Sequence, residues 1–356
     1  PPRRSYSTDN PQPTRPMTIK RRQILAAGGS ALLAVRHPAF AQAPADWPRV
    51  IEAAKKEGQL FVYSANVGNP TQGAIGKAFE QKYGIKVEIL EARASELRER
   101  IRTEQEAGRF IGDLSHNGAT TTALQAKVGT FQPYGSLPSL AKIRTPFKAD
   151  ELRVPAFAHA YSILVNTNLV KAGDEPKSWK ELADPKWKGK ILSDDMRALG
   201  GGSVLFFVTE EHLGRAFHDK LAQNQPVFSR DLRASELRLA RGEYAIWIPQ
   251  QISSFLALKG LPVKLLAPDE GYPFIAYELA VLKNAPHSNA ARLFMEFYLG
   301  NEAQLIHAHA GNIVVTDEAA AAVPAELRAY ANGKLFGTTD ASRQDEMLRL
   351  AKEIYK

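Results

Sequence analysis

Short apolar runs alternate with amphipathic stretches from residue 59 onward. Gln59–Tyr63 is a run of strand formers suited to a buried parallel strand. Ser64 to Gly68 turns the chain, and Asn69 followed by Pro70 has the form of a helix N-cap with proline at the first helical position. Ile75, Phe79 and Tyr83 carry that helix to Gly84, and Ile85–Leu90 predicts the next strand. Ser95 is expected to cap a helix bearing Leu97 and Ile101 on one face and closing at Gly108. Phe110–Leu114 predicts a third strand, with Ser115 to Gly118 as the loop after it and a helix through Ala123 to Val128. A β-α-β-α-β-α succession predicts a parallel sheet with right-handed crossovers.

Val154–Val165 is one long extended segment, taken here as the crossing into a second lobe with β-α elements of its own. Ser178 and Glu181 are spaced as a capping box. Lys190–Leu192 predicts a strand, with Asp194 to Arg197 after it and Gly200-Gly201-Gly202-Ser203 opening a helix. Tyr244–Ile248 predicts another strand, which Pro249 should break, and Ile275–Leu282 one that returns to the first lobe. Amphipathic helices are expected over 289–299 and 301–310, and a terminal helix over 346–355 with Met347, Leu350 and Ile354 on one face. The expected organisation is one lobe from 44–155 and 275–356 and a second from 156–274.

Residues 20–43 change the question. Lys20-Arg21-Arg22, a short apolar run to Val35 and the small-residue end near Ala41 and Ala43 make an export signal. Arg21-Arg22-Gln23-Ile24-Leu25 resembles the twin-arginine pattern, used to export folded proteins. Residues 1–16, rich in Pro, Ser, Thr and Arg, have almost nothing to bury, and Met17 is the expected start. The 356-residue chain carries a net charge of +8, but residues 1–43 hold seven cations against one anion, which leaves +2 for the remainder. A nucleic-acid partner is therefore not expected, because it requires a basic face in the mature fold. The chain has no cysteine, which excludes disulfides, thiol catalysis and thiolate metal sites. The expectation is an exported, periplasmic, two-domain protein cleaved near Ala41 or Ala43.

Four stretches resemble the extracellular solute-binding proteins of ABC importers, in the branch that includes ferric-iron and phosphorylated-sugar binders. They are Leu60 to Ser64 with its Gly/Asn turn, Val165 to Leu169, the block from Trp179 to Ile191, and Ala285 to Phe294 with Asn301 to Gln304 after it. The resemblance implies an α/β, type II periplasmic-binding-protein fold. Each lobe would be a mixed, mostly parallel sheet flanked by helices, joined to the other by extended hinge strands. It further implies a monomeric receptor without cofactor or catalysis, whose partners are a small-molecule solute and the ABC permease membrane subunits. Ferric iron, a polyamine, an exported enzyme or a sensor domain on the same fold remain open alternatives.

Ligands of open α/β sheets sit at the carboxyl ends of strands. That rule selects Ser64 and Asn66 after the first strand, Arg93 and Ser95 after the second, and His116 and Asn117 after the third. From the second lobe it selects Asp194, Arg197, Gly201, Gly202 and Ser203, with Trp247, Gln250 and Tyr272 near the inter-lobe strands. The glycine run lets backbone N–H groups meet an anion at a helix start, and Arg197 adds a bidentate donor. A small organic carboxylate or phosphate is therefore the expected solute. Asp194 and Asp195 leave two other readings open, a clamp on Arg197 or a cationic ligand. No metal site is expected: there is no adjacent tyrosine pair, and His307 and His309 point apart on a helix. No nucleophile elbow, zincin helix or phosphate loop is present.

Overall fold

A computed structural model describes residues 46–356; the expected export signal and its cleavage site lie outside the described residues. Along the first half run α1 (Trp47–Glu57), β1 (Gln59–Ser64), α2 (Pro70–Tyr83), β2 (Lys86–Glu91), α3 (Ala94–Glu106), β3 (Leu114–Gly118), α4 (Ala119–Lys127) and the long β4 (Arg153–Asn166). Next come β5 (Ile191–Asp194), α5 (Gly201–Leu213), α6 (Arg215–Gln223), β6 (Val227–Ser229), α7 (Leu232–Ala240), β7 (Ile246–Gln251) and β8 (Val263–Leu265). The chain ends with β9 (Tyr272–Val281), α8 (Ser288–Leu299), α9 (Asn301–His309), β10 (Ile313–Val314), α10 (Asp317–Ala320), α11 (Ala325–Ala331), β11 (Leu335–Gly337) and α12 (Gln344–Ile354).

The strands form one curled mixed sheet in the order β2-β1-β3-β9-β4-β7-β5-β6. β1 is parallel to β2 and β3, and β5 is parallel to β6 and β7. β9 and β4 run antiparallel between these parallel sets. β4 serves both halves: Arg153 to Ala160 pairs with β9, and Tyr161 to Asn166 pairs with β7 and β8. The expected lobe boundary at residue 155 thus falls inside a stretch still bound to β9. One large core packs Val62, Phe79, Phe157, Phe294 and Tyr298, and a second packs Trp179, Trp187, Phe206, Phe207 and Ile246.

Local chemistry explains where elements start and stop. Asn69 Oδ1 accepts from the Thr71 amide at 3.0 Å, and Gly84 ends α2 in the left-handed region at φ 72°. Such a cap is worth about 1 kcal/mol. Half of the expected Ser178–Glu181 box forms: the Glu181 amide donates to Ser178 Oγ at 3.2 Å, while the Glu181 carboxylate accepts from the Lys177 amide at 3.0 Å instead of from the Ser178 amide. The helix after the second strand begins two residues earlier than expected. Arg93 is its N-cap, and Glu96 accepts from the Arg93 amide at 3.2 Å, so Ser95 is inside the first turn rather than capping it.

The third strand lies further along than expected, at Leu114–Gly118 instead of 110–114. Asp113 sets its start: its carboxylate takes the Phe61 amide at 2.8 Å and the His287 amide at 2.7 Å. Gly112 slides beneath Tyr63, where a Cβ would stand 2.3 Å from the ring. Ser115, His116 and Asn117 are therefore strand residues, not loop residues. Pro249 does not end β7. The register slips between Ser162 and Leu164 on β4, opposite this point, so the missing proline N–H falls at a bulge. α12 packs Met347 and Ala351 into the second core, although 275–356 was expected to belong to the first lobe. No helix among the described residues is long and apolar enough to cross a membrane.

Candidate functional site

The carboxyl ends of β1, β3 and β5, with the first turns of α4 and α5, gather around β4 and β9. On the β1–β3 side, the Asn66 amide donates to Ser64 Oγ at 3.2 Å, and Ser64 Oγ meets His116 Nδ1 at 3.1 Å. Asn66 Oδ1 meets His159 Nε2 at 3.2 Å. An amide oxygen only accepts, so Nε2 of His159 carries the proton and Nδ1 keeps the lone pair. That Nδ1 has no protein partner, and neither do Asn66 Nδ2, His116 Nε2, Asn117 Nδ2 or Nε2 of His307.

These groups line an aromatic box. Phe157 stacks on His307 with centroids 4.1 Å apart and on Tyr277 at 5.1 Å, and Tyr298 stands 5.5 Å from His116. Burial disfavours the charged imidazolium, so His116 and His159 are pushed down to about 3. His307 is driven well below its usual value by burial and by the other two histidines. All three are neutral at pH 7. His159 and His307 were not foreseen as site residues. β4 reads as an unbroken apolar strand that hides His159, and His307 looked like one of two helical histidines.

On the β5–α5 side, Asp194 ends its strand with the carboxylate tucked under the helix start. It accepts from the Gly202 amide at 2.7 Å and the Asp195 amide at 2.9 Å. Burial pushes it up to about 6, against the pull of those amides and of Arg230. The glycines serve close packing. A Cβ at 202 would stand 2.6 Å from the Asp194 carbonyl oxygen, and one at 201 would stand 3.0 Å from the Tyr161 ring. The positive end of α5 is thus met by the protein's own carboxylate, not left open for a solute anion. Ser203 Oγ accepts from the Gly200 amide at 3.2 Å.

Arg197 is likewise occupied. Its Nε donates to Asp195 Oδ1 at 2.8 Å, its Nη1 donates to the Tyr355 carbonyl at 3.2 Å, and the guanidinium lies over Phe228. The expectation of Arg197 as the anion clamp is corrected by this pairing, and of the readings left open the clamp by Asp195 is the one observed. Arg230, at the carboxyl end of β6, is exposed beside the same loop and donates to the Leu199 carbonyl at 3.3 Å. It went unnoticed because a three-residue strand leaves no periodicity to read.

The remaining candidates scatter. Arg93 and Ser95 are exposed at the start of α3. Trp247 is a core side chain, 1 % exposed. Tyr272 is buried against Tyr330, and its amide donates to the Lys334 carbonyl at 2.9 Å. Gln250 is buried with its Nε2 donating to Glu236 at 2.8 Å, while its Oε1 lacks a partner. Tyr161 and Ile275 pack with Val204 and Val208 of α5, joined by Ala119, Tyr277 and Phe336, so the two sides touch there. No group of three or more His, Asp or Glu side chains placed to hold a metal ion occurs among the described residues.

The model of the bacterial extracellular solute-binding protein family matches residues 60–312. Among curated proteins, an "Uncharacterized protein" of Haemophilus influenzae is 26 % identical over 265 residues, covering 71 % of this chain and 76 % of its own. Iron uptake protein A1 of Synechocystis is 31 % identical over 149 residues, 38 % of each chain. Among solved structures, iron-bound HitA from Pseudomonas aeruginosa superposes with a TM-score of 0.71 at 19 % identity, covering 83 % of this chain and 99 % of its own. The periplasmic binding protein AfuA from Actinobacillus pleuropneumoniae, with fructose-6-phosphate bound, gives 0.70 at 21 % identity, covering 83 % and 97 %.

Proposed function

The chain belongs to the bacterial extracellular solute-binding protein family, and from that premise we propose that it captures a small polyhydroxylated organic solute in the periplasm and presents it to an ABC permease. The solute lies between the β1–β3 side and the β5–α5 side. It is held without chemical change, by a monomer without cofactor. The observation that carries this reading is the asymmetry of hydrogen-bonding capacity at the cleft. Asn66 Nδ2 and Asn117 Nδ2 are buried donors without partners. Across from them, each Asp194 oxygen accepts one backbone N–H and keeps a further lone pair. Hydroxyl groups, which donate and accept, complete both sets. A carboxylate or phosphate on the solute would meet Arg230 at the rim, in place of the expected Arg197.

Thermal-shift measurement against free sugars, sugar phosphates, small carboxylates, polyamines and ferric citrate tests the reading. A ligand at about 100 times its Kd adds roughly 2.7 kcal/mol of stability. Stabilisation by sugars or sugar phosphates, weakened at least tenfold in affinity by Asn66→Ala and by Asp194→Ala, is the expected outcome. A response to polyamines alone overturns it, and so does any turnover of the bound compound.

Ferric iron is the second reading, favoured by the convergence of two phenols and a carboxylate. Tyr161 packs in one cluster with Tyr277, and a Cβ at Gly201 would stand 3.0 Å from the Tyr161 ring and 3.4 Å from Asp194 Oδ2. Oxygen donors of this kind suit Fe(III). Burial pushes Tyr277 up to about 12, so iron would have to displace a tightly held proton. Visible phenolate-to-iron absorption on titration with ferric citrate would favour this reading over the first.

A further inference from the structure

The polypeptide passes between the two halves of the sheet three times. β4 is the first passage, and the stretch from β8 into β9 is the second. The third lies near residue 340. α11 joins through Leu327 and Ala331 a large cluster that draws on both halves, with Leu114 and Phe294 but also Trp247 and Ile252, and α12 sits in the second core through Met347 and Ala351. Between them, β11 pairs with β9 and Thr339 meets Thr120 of α4.

This segment is fixed to both halves. Leu335 of β11 pairs with Tyr272 of β9. The Phe336 ring stacks on His212, at the end of α5, with centroids 4.7 Å apart and planes 27° from parallel. Phe336 also joins the cluster of Tyr161, Val204, Val208 and Ile275, against Ala119 at the start of α4. A Cβ on Gly337 would stand 3.2 Å from both His212 Nε2 and Val208 Cγ1, so the backbone itself lies on α5. Two residues on, the hydroxyl of Thr339 is hydrogen-bonded to that of Thr120, in the first turn of α4. Arg343 then anchors the segment over the Phe207 ring of α5.

We propose that residues 335–340 form a strap that ties the start of α4 to α5 and has to release α4 before the cleft opens. The inference rests on the solute-capture reading. The two attachments differ in kind. Withdrawing Phe336 from α5 would expose an aromatic ring to water, whereas the two threonine hydroxyls each find a water molecule once parted. Separation therefore occurs at Thr120–Thr339, and Phe336 travels with the β5–α5 half. The strap makes Thr339 and Phe336 part of the cleft wall, although they lie far from every other site residue in sequence.

The absence of cysteine makes the test clean. Val128, at the end of α4, is 79 % exposed, and Leu169, just past β4, is 53 % exposed. Val128→Cys and Leu169→Cys in the full chain accept a dye pair that reports the distance between the halves by single-molecule energy transfer. In the absence of any added compound, Thr339→Val is expected to raise the ratio of open to closed molecules at least threefold, and Phe336→Ala to raise it further. Thr339→Val alters no buried packing, so it remains informative if Phe336→Ala does not fold. A parent that opens and closes, with a Thr339→Val variant that matches it, overturns the strap alone. One unchanging distance in parent and variants, with and without fructose 6-phosphate or ferric citrate, overturns the capture reading and the strap together. In a separate chain, oxidation of Thr120→Cys with Thr339→Cys should abolish the open population, and its persistence after complete oxidation counts against the strap.

Discussion

The two sides of the cleft solve the burial of polar groups in opposite ways. On the β1–β3 side, His116, His159, His307 and two asparagines are packed into an aromatic box and left with donors and acceptors unmatched. On the β5–α5 side, each Asp194 oxygen already holds a backbone amide and keeps only accepting capacity, and Arg197 is held by Asp195 and the Tyr355 carbonyl. A buried polar group without a partner costs about 1–3 kcal/mol. The first side therefore gains most when something fills it, while the second already has a settled geometry. Under the proposed function, recognition falls mainly to the first side, and the second supplies a rigid closing surface.

Acid is the strongest way to break this contrast. His116, His159 and His218 are pushed down to about 3 by burial, and His307 lies well below its normal range. Their folded values lie below the unfolded value near 6.5, so their contribution is intact above pH 6.5 and is lost as pH falls toward 3. Asp194 and Glu278 work the other way, pushed up by burial to about 6 and about 7. The folded protein holds their protons longer, so acidification from pH 7 toward 4 favours it through these two groups. Four histidines outweigh two carboxylates by about two protons near pH 5.5, where stability should fall by roughly 2–3 kcal/mol per pH unit. Denaturant melts at pH 7, 6 and 5 check this, and a flat profile would refute the buried neutral trio.

Gly202→Ala comes next. Its new methyl group meets the Asp194 carbonyl, and the overpacked helix start should cost about 1–3 kcal/mol. A fall in melting temperature of only a degree would show that α5 can shift freely. His159→Gln is a milder change that keeps a donor for Asn66. It should remove one histidine's share of the acid slope, about 1.4 kcal/mol per pH unit, with a smaller effect at pH 7. The smallest effect is expected at Arg197→Ala. Its ion pair with Asp195 is partly exposed, so at most about 1 kcal/mol of stability should be lost and solute affinity should stay within twofold. A tenfold loss of affinity would return Arg197 to the cleft.

Much of the fold was legible because it is written locally. The run at Leu60–Tyr63, the Asn69 cap with Pro70, the Ser178 hydroxyl taking the Glu181 amide and the returning strand at 275–282 each follow from neighbouring residues. The misplaced third strand shows where local reading stops. Leu114 to Gly118 carries three polar residues in a row, all buried, and only the pairing with β1 and β9 makes a strand of them. The site was less legible for the same reason. His116, His159 and His307 come from β3, β4 and α9, and no spacing in the chain announces that they meet. Arg197 was misjudged because a long side chain has several partners within reach, and the nearest carboxylate, two residues away, took it. Glu278 shows the same limit. It lies on β9 against Thr122 and 3.4 Å from Arg153, three residues from three separate elements.

The docking of α12 has a consequence for synthesis. Met347, Ala351 and Tyr355 close the second core, and Tyr355 both hydrogen-bonds His218 at 2.7 Å and holds the loop at Arg197. A nascent chain cannot seal that core until residues 344–355 have been made and have left the ribosome. Loss of Tyr355 would then strike the half whose strands were made long before, and leave the half built on β1 to β3 largely untouched.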